Sequence, residues 1–87
     1  MDLFKIDPKE SFEHDLRKID RQFIPRILEA IESLSENPFP VQSKKLKGSE
    51  SSYRLRVGDY RVVYQVDTEN KVVTIYHARH RKDVYKR

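Results

Sequence analysis

No stretch constrains the fold of this chain more than Tyr53 to Val66, YRLRVGDYRVVYQV. Tyr, Val, Leu and Arg alternate on both sides of Gly58-Asp59, which predicts two antiparallel strands joined by a two-residue turn. Glycine at the first central position suits a type II′ turn, where that residue takes a positive φ. Alternation assigns Tyr53, Leu55 and Val57 to one face of the first strand and Arg54 and Arg56 to the other. A polar strand face is equally well served by Thr, Lys or Glu. Arg adds a planar five-donor fork that fits phosphate oxygens two at a time.

The rest of the chain must pack around this hairpin within 87 residues, enough for one domain, 1–87, that folds without disulfide or metal staples. Leu3 to Ile6 is expected as a short first strand. A first helix is expected next, with Asp7 as N-cap, Pro8 at the first helical position and Glu10 closing a capping box. Phe12, Leu16 and Ile19 form its apolar stripe, and His14 lies off it. Asp20 ends that helix or caps the next. Pro25 sets the start of the second helix near Ile24, and Ile24, Ile27, Leu28, Ile31 and Leu34 make a wide stripe ended by Asn37-Pro38. Phe39 to Ser52 has no period and is expected as a loop. After the hairpin, Thr68-Glu69-Asn70 turns the chain into a strand from Lys71 to Ala78. Strict alternation there would carry Arg79 inward behind Val73 and Ile75, so the strand is expected to end or bulge near His77. The predicted fold is α+β, of order β-α-α-β-β-β, with two helices packed on a small, mostly antiparallel sheet.

Charge is unevenly placed. Residues 44–87 hold 12 Lys or Arg against 5 Asp or Glu, a balance of +7, and residues 1–43 hold 6 against 9, or −3, which together give the chain's +4. One basic half beside one mildly acidic half predicts a face for a polyanion. There is no Cys and no apolar run of membrane-spanning or signal-peptide length, so a cytoplasmic protein is expected. No glycine-rich phosphate loop and no nucleophile elbow is present. His77 and His80 lack a neighbouring carboxylate cluster, so neither a metal nor any other cofactor is expected.

What remains is Arg54, Arg56, Arg61 and Arg79, with tyrosines and histidines nearby. Such a set suits metal-free RNA cleavage. A 2′-hydroxyl attacks the adjacent phosphate, extra negative charge gathers on the non-bridging oxygens, and one proton must be taken and one returned. The same residues also suit RNA binding without cleavage. Lys44, Lys45 and Lys47 in the expected loop, and Arg81 in the basic tail, are candidates to follow an RNA backbone.

Three runs, LKG at Leu46 to Gly48, the hairpin itself, and HARHRKDVY from His77 to Tyr85, occur in an order and spacing that resembles the RelE/ParE toxin superfamily on its RelE side. The resemblance reaches through both helical segments. It implies a type II toxin that enters the ribosomal A site and cuts the bound mRNA without a metal, held in check by a cognate antitoxin protein. It implies catalytic roles for Arg54 and Arg56 on the first hairpin strand, for Arg61 as phosphate ligand opening the next, and for Arg79 and Tyr85. A ParE-like poison of DNA gyrase and a non-catalytic RNA-binding module are the other readings. Some RelE-like enzymes have a Lys, assigned as general base, where this chain has Arg54 or Arg56. Arg does not give up its proton in proteins. The expected acceptor is therefore His80, then His77, then the Tyr85 hydroxyl.

Overall fold

The computed structural model describes residues 3–84, so Tyr85 lies outside the described residues. The elements run β1 (Lys5–Pro8), α1 (Glu10–Leu16), a 3-10 turn (Arg21–Phe23), α2 (Ile24–Ser33), β2 (Ser43–Lys45), β3 (Ser52–Val57), β4 (Tyr60–Asp67), β5 (Val72–His80) and α3 (Arg81–Val84). One five-stranded sheet results, in the order β1-β5-β4-β3-β2. The three strands from β3 to β5 form an antiparallel meander, β2 adds antiparallel at one edge and β1 adds parallel at the other. The α+β class is therefore as expected, with a short strand and a short helix added to the order.

The hairpin forms as its sequence dictates. Val57 pairs with Tyr60, and Gly58 sits at φ 60 while Asp59 stays out of the left-handed region, the asymmetry a type II′ turn requires. Leu55, Val57, Val62, Tyr64 and Val66 point inward and join Val73, Ile75 and Ala78 of β5. Phe12 and Ile19 from the first helical region, and Ile27, Ile31 and Leu34 from α2, close over them. Tyr64 is fully buried, and its hydroxyl donates to the Pro38 carbonyl at 2.8 Å. Burial pushes that hydroxyl's pKa above its ordinary value. Leu28, expected in the α2 stripe, is instead 40% exposed. No helix among the described residues is long and apolar enough to cross a membrane.

Two local expectations are corrected. Asp7 and Pro8 do not start a helix; they are the end of β1, paired with Thr74 and Ile75. Pro is tolerated there because it ends an edge strand. Lys9 becomes the N-cap, without a side-chain bond, and its N–H donates to the Ile75 carbonyl at 2.9 Å. The Phe39 to Ser52 segment is not all loop. Ser43–Lys45 lie against β3, with Lys44 opposite Arg54, because the sheet edge supplies the partners that a three-residue strand cannot announce by periodicity. Asp20 does act as a cap, accepting from the Gln22 N–H at 3.1 Å.

The bulge in β5 decides the rest. Val63 pairs with His77 but Tyr64 with Ile75, which leaves Tyr76 as the extra residue. Before it Val73 and Ile75 face the core; beyond it Ala78 does. His77 and Arg79 are thereby turned to the outer face, where an unbulged strand would have driven them into the core.

Candidate nucleic-acid interface and reaction site

Register builds the site on the outer face. Arg56 of β3 lies opposite Arg61 of β4, which lies opposite Arg79 of β5. One step along, Lys44, Arg54, Val63 and His77 make a second row across four strands. With strands roughly 4.8 Å apart, the three-strand row spans about 10 Å and the four-strand row about 14 Å, the reach of two or three successive nucleotide phosphates. Like charges placed directly opposite one another destabilise a sheet. A polyanion laid along the rows would relieve that repulsion.

Local contacts preset two of these side chains. Arg61 folds back on the hairpin turn, where its Nη1 donates to the carbonyls of Gly58 at 3.0 Å and Tyr60 at 2.9 Å. Arg79 leans the other way, its Nε 3.6 Å from Asp15 Oδ2 on α1. Val41, Gln42, Lys44, Arg54, Arg56 and Arg61 line a cleft of about 300 Å³ whose walls carry four cations and no carboxylate. A wider groove of about 770 Å³ shares Arg56 and Arg61 and adds Arg26 and Arg81, together with the carboxylates of Glu29 and Asp59.

Helix α1 completes the β5 side. Past Pro8 the outer edge of β5 has no strand partner, and α1 takes over its backbone groups. Ser11 Oγ donates to the Tyr76 carbonyl at 2.7 Å, and the Ala78 N–H donates to Asp15 Oδ2 at 3.1 Å. The same carboxylate oxygen lies 2.9 Å from His77 Nδ1.

The structure thus brings together Arg54, Arg56, Arg61, Arg79 and Lys44. Lys45 is opposite Tyr53, on the other side of the edge strand, and Lys47 is exposed beside the Gly48 turn. Arg81 reaches the wider groove, with its backbone N–H on the Asp59 carbonyl at 2.7 Å and its Nε 3.9 Å from the Asp59 carboxylate. His80 stands apart from the arginines. It pairs with Tyr60 on the helix-facing side, with the two rings edge to face at 5.5 Å. Its Nδ1 accepts the Lys82 N–H at 3.2 Å, which places the remaining proton of the neutral ring on Nε2. Sequence reasoning missed Asp15, whose partner lies 62 residues away, and Arg26; no local pattern marks either residue. Among the described residues no group of three metal-ligating side chains gathers.

Comparison with known proteins gives a consistent result. Residues 6–85 match the profile of the family described as ParE toxin of type II toxin-antitoxin system, parDE. A Methanocaldococcus jannaschii sequence that carries the name RelE1 is 31% identical over 86 residues, covering 95% of this chain and 96% of its own length. Toxin RelG of Mycobacterium tuberculosis is 31% identical over 74 residues, 84% of this chain and 85% of its own. The fold matches RelE in the crystal structure of the archaeal RelE-RelB complex from Pyrococcus horikoshii, with a TM-score of 0.80 at 29% identity, over 93% of this chain and 97% of that one.

Proposed function

This chain belongs to the RelE/ParE superfamily of type II toxins, on its RelE side, and from that premise we propose that it is an endoribonuclease cutting mRNA in the ribosomal A site. The observation that supports this reading is the row Arg56–Arg61–Arg79 on the outer face, beside a cleft lined by Lys44 and Arg54. A scissile phosphate seated on the row would meet guanidiniums from three strands. The strands are rigid elements, so the donors need little reorganisation as the pentavalent phosphorane gathers charge. The attacking group is the adjacent 2′-hydroxyl. Its oxygen bonds to phosphorus as the bond to the 5′-oxygen breaks, giving a 2′,3′-cyclic phosphate and a 5′-hydroxyl. Positioning of the mRNA comes from the ribosome, and the basic face holds the complex through phosphate contacts. Chemistry of this kind needs no metal from the protein.

A cognate antitoxin is the second partner. The similar archaeal RelE was solved with RelB, and a partner of that kind would silence this chain by covering the arginine rows or the wider groove beside them. The family profile's ParE description keeps one competing reading in view, a poison of DNA gyrase. Primer extension on mRNA from translating ribosomes separates the two. New 5′ ends within A-site codons are expected. Double-strand breaks in a gyrase assay, with mRNA left intact, would replace the ribonuclease with the ParE reading. Retarded but uncut mRNA would reduce the protein to an RNA-binding module.

A further inference from the structure

The ribonuclease reading leaves a proton without an acceptor, because the cations that gather around the phosphate are mostly arginines. We propose that His77 is the catalytic general base and that Asp15 is its positioning residue, the inference resting on that reading of the site. On the outer face, His77 occupies the Lys44–Arg54–Val63 row, one step from Arg79 and its row of guanidiniums. It is brought there by the Tyr76 bulge.

The contacts choose the tautomer. His77 Nδ1 is 2.9 Å from Asp15 Oδ2 and 3.2 Å from Arg79 Nη2. An ionised carboxylate only accepts and a guanidinium only donates, so the two neighbours ask opposite things of Nδ1. The shorter contact is the one to the carboxylate, which also draws Arg79 Nε to 3.6 Å. Nδ1 therefore carries the proton and donates to Asp15, and Arg79 is satisfied by the carboxylate. That leaves the Nε2 lone pair free of the backbone, the reverse of His80, whose Nδ1 accepts from α3.

Asp15 is built to hold a ring still. Its side chain is 12% exposed and accepts the Ala78 N–H, so the carboxylate is tied to the strand that carries the imidazole. The charged and titratable groups that share a groove with the ring are Glu10, Glu13, His14 and Asp15 from α1, Arg17 and Lys18 just past its end, and Arg79 from its own strand. In the step, the 2′-hydroxyl proton passes to Nε2 as the 2′-oxygen bonds to phosphorus. The 5′-oxygen leaves and takes a proton from water, and the imidazolium returns its own to water. Asp15 steadies the imidazolium throughout, as a buried carboxylate does for a catalytic histidine elsewhere.

The test is single-turnover cleavage of mRNA on programmed ribosomes, with ribosome affinity and thermal unfolding measured on the same preparations. His77→Gln is the main variant, because the amide keeps a donor for Asp15 but has no titratable nitrogen. Its rate is expected to fall by about 10² or more with affinity within about threefold. His77→Ala is expected to fall similarly and to regain part of its rate in millimolar imidazole, a readout that a purely structural histidine would not give. Asp15→Asn, which still accepts from Ala78, is expected to lose roughly tenfold or more in rate at unchanged affinity. Wild-type speed in His77→Gln, or a slow His77→Ala that imidazole does not rescue, would overturn the assignment. A wild-type protein that leaves ribosome-bound mRNA uncut would instead overturn the ribonuclease reading from which the assignment starts.

Discussion

Replacing Arg61 by Ala separates what the side chain does for the fold from what it does for the reaction. Its Nη1 makes two hydrogen bonds to the hairpin turn, to Gly58 and Tyr60. Each has a net worth of about 0.5–1.5 kcal/mol, toward the low end for groups that are only half-buried. The same substitution removes a cation flanked by Arg56 and Arg79, and relief of like charges directly opposite returns about 0.2–1 kcal/mol per pair. The two effects nearly cancel. Stability is expected to change by no more than about 1 kcal/mol, a Tm shift of roughly 4–8 °C at most for a domain of this size. The reaction has no such compensation. A preset donor lost from a charge-developing phosphate slows cleavage by about 10²- to 10³-fold, or roughly 3–4 kcal/mol. Single-turnover cleavage on programmed ribosomes and thermal unfolding should be run in parallel. Arg61→Lys keeps the charge without the fork and is expected to fall between the two. Cleavage by Arg61→Ala within a few fold of wild type would remove Arg61 from the site. A Tm drop above about 10 °C would show that its bonds to the turn belong to the fold.

Tyr64→Phe should destabilise the protein by about 1–3 kcal/mol, because the buried Pro38 carbonyl loses its donor; equal denaturation midpoints for the two proteins would refute this. Asp67 accepts from the Asn70 backbone and side chain and from the Glu69 N–H, and these bonds hold its pKa below the ordinary value of 3.8. A depressed folded-state pKa stabilises above the unfolded value and is lost as pH falls through the folded one, so Asp67→Ala should weaken the fold near neutrality and flatten its loss of stability below about pH 4. An unchanged acid limb in urea titrations at several pH values would argue against that linkage. Ribosome affinity should fall steeply with KCl, by a log–log slope of about −0.7 per single-strand phosphate contact, and Lys44→Ala and Arg54→Ala should each lessen that slope; a flat response between about 50 and 200 mM would mean that the basic face is merely solvated.

The hairpin, its turn, the inward stripe of α2 and the outward pair Arg54 and Arg56 could all be read from the chain, because each is a short-range pattern. Alternation and 3.6-residue periodicity need no partner to be visible. The bulge was legible in part. The conflict between a core-facing Ile75 and a charged Arg79 required one near His77, although only pairing with β4 shows that Tyr76 is the extra residue. Tertiary structure decided the remainder. Asp7 and Pro8 look like a helix start, and β2 looks like loop, until a neighbouring strand supplies their hydrogen bonds. His80 and Arg79 are adjacent in sequence, yet β5 continues through His80 and the pleat sends the two to opposite faces. Asp15 and His77 are strangers in the sequence and neighbours in space, because β1 ends at Pro8 and the exposed edge of β5 must be satisfied by whatever follows it, which is α1. Contacts of that range depend on where a strand stops and which residue a register skips, and no window of local sequence contains either.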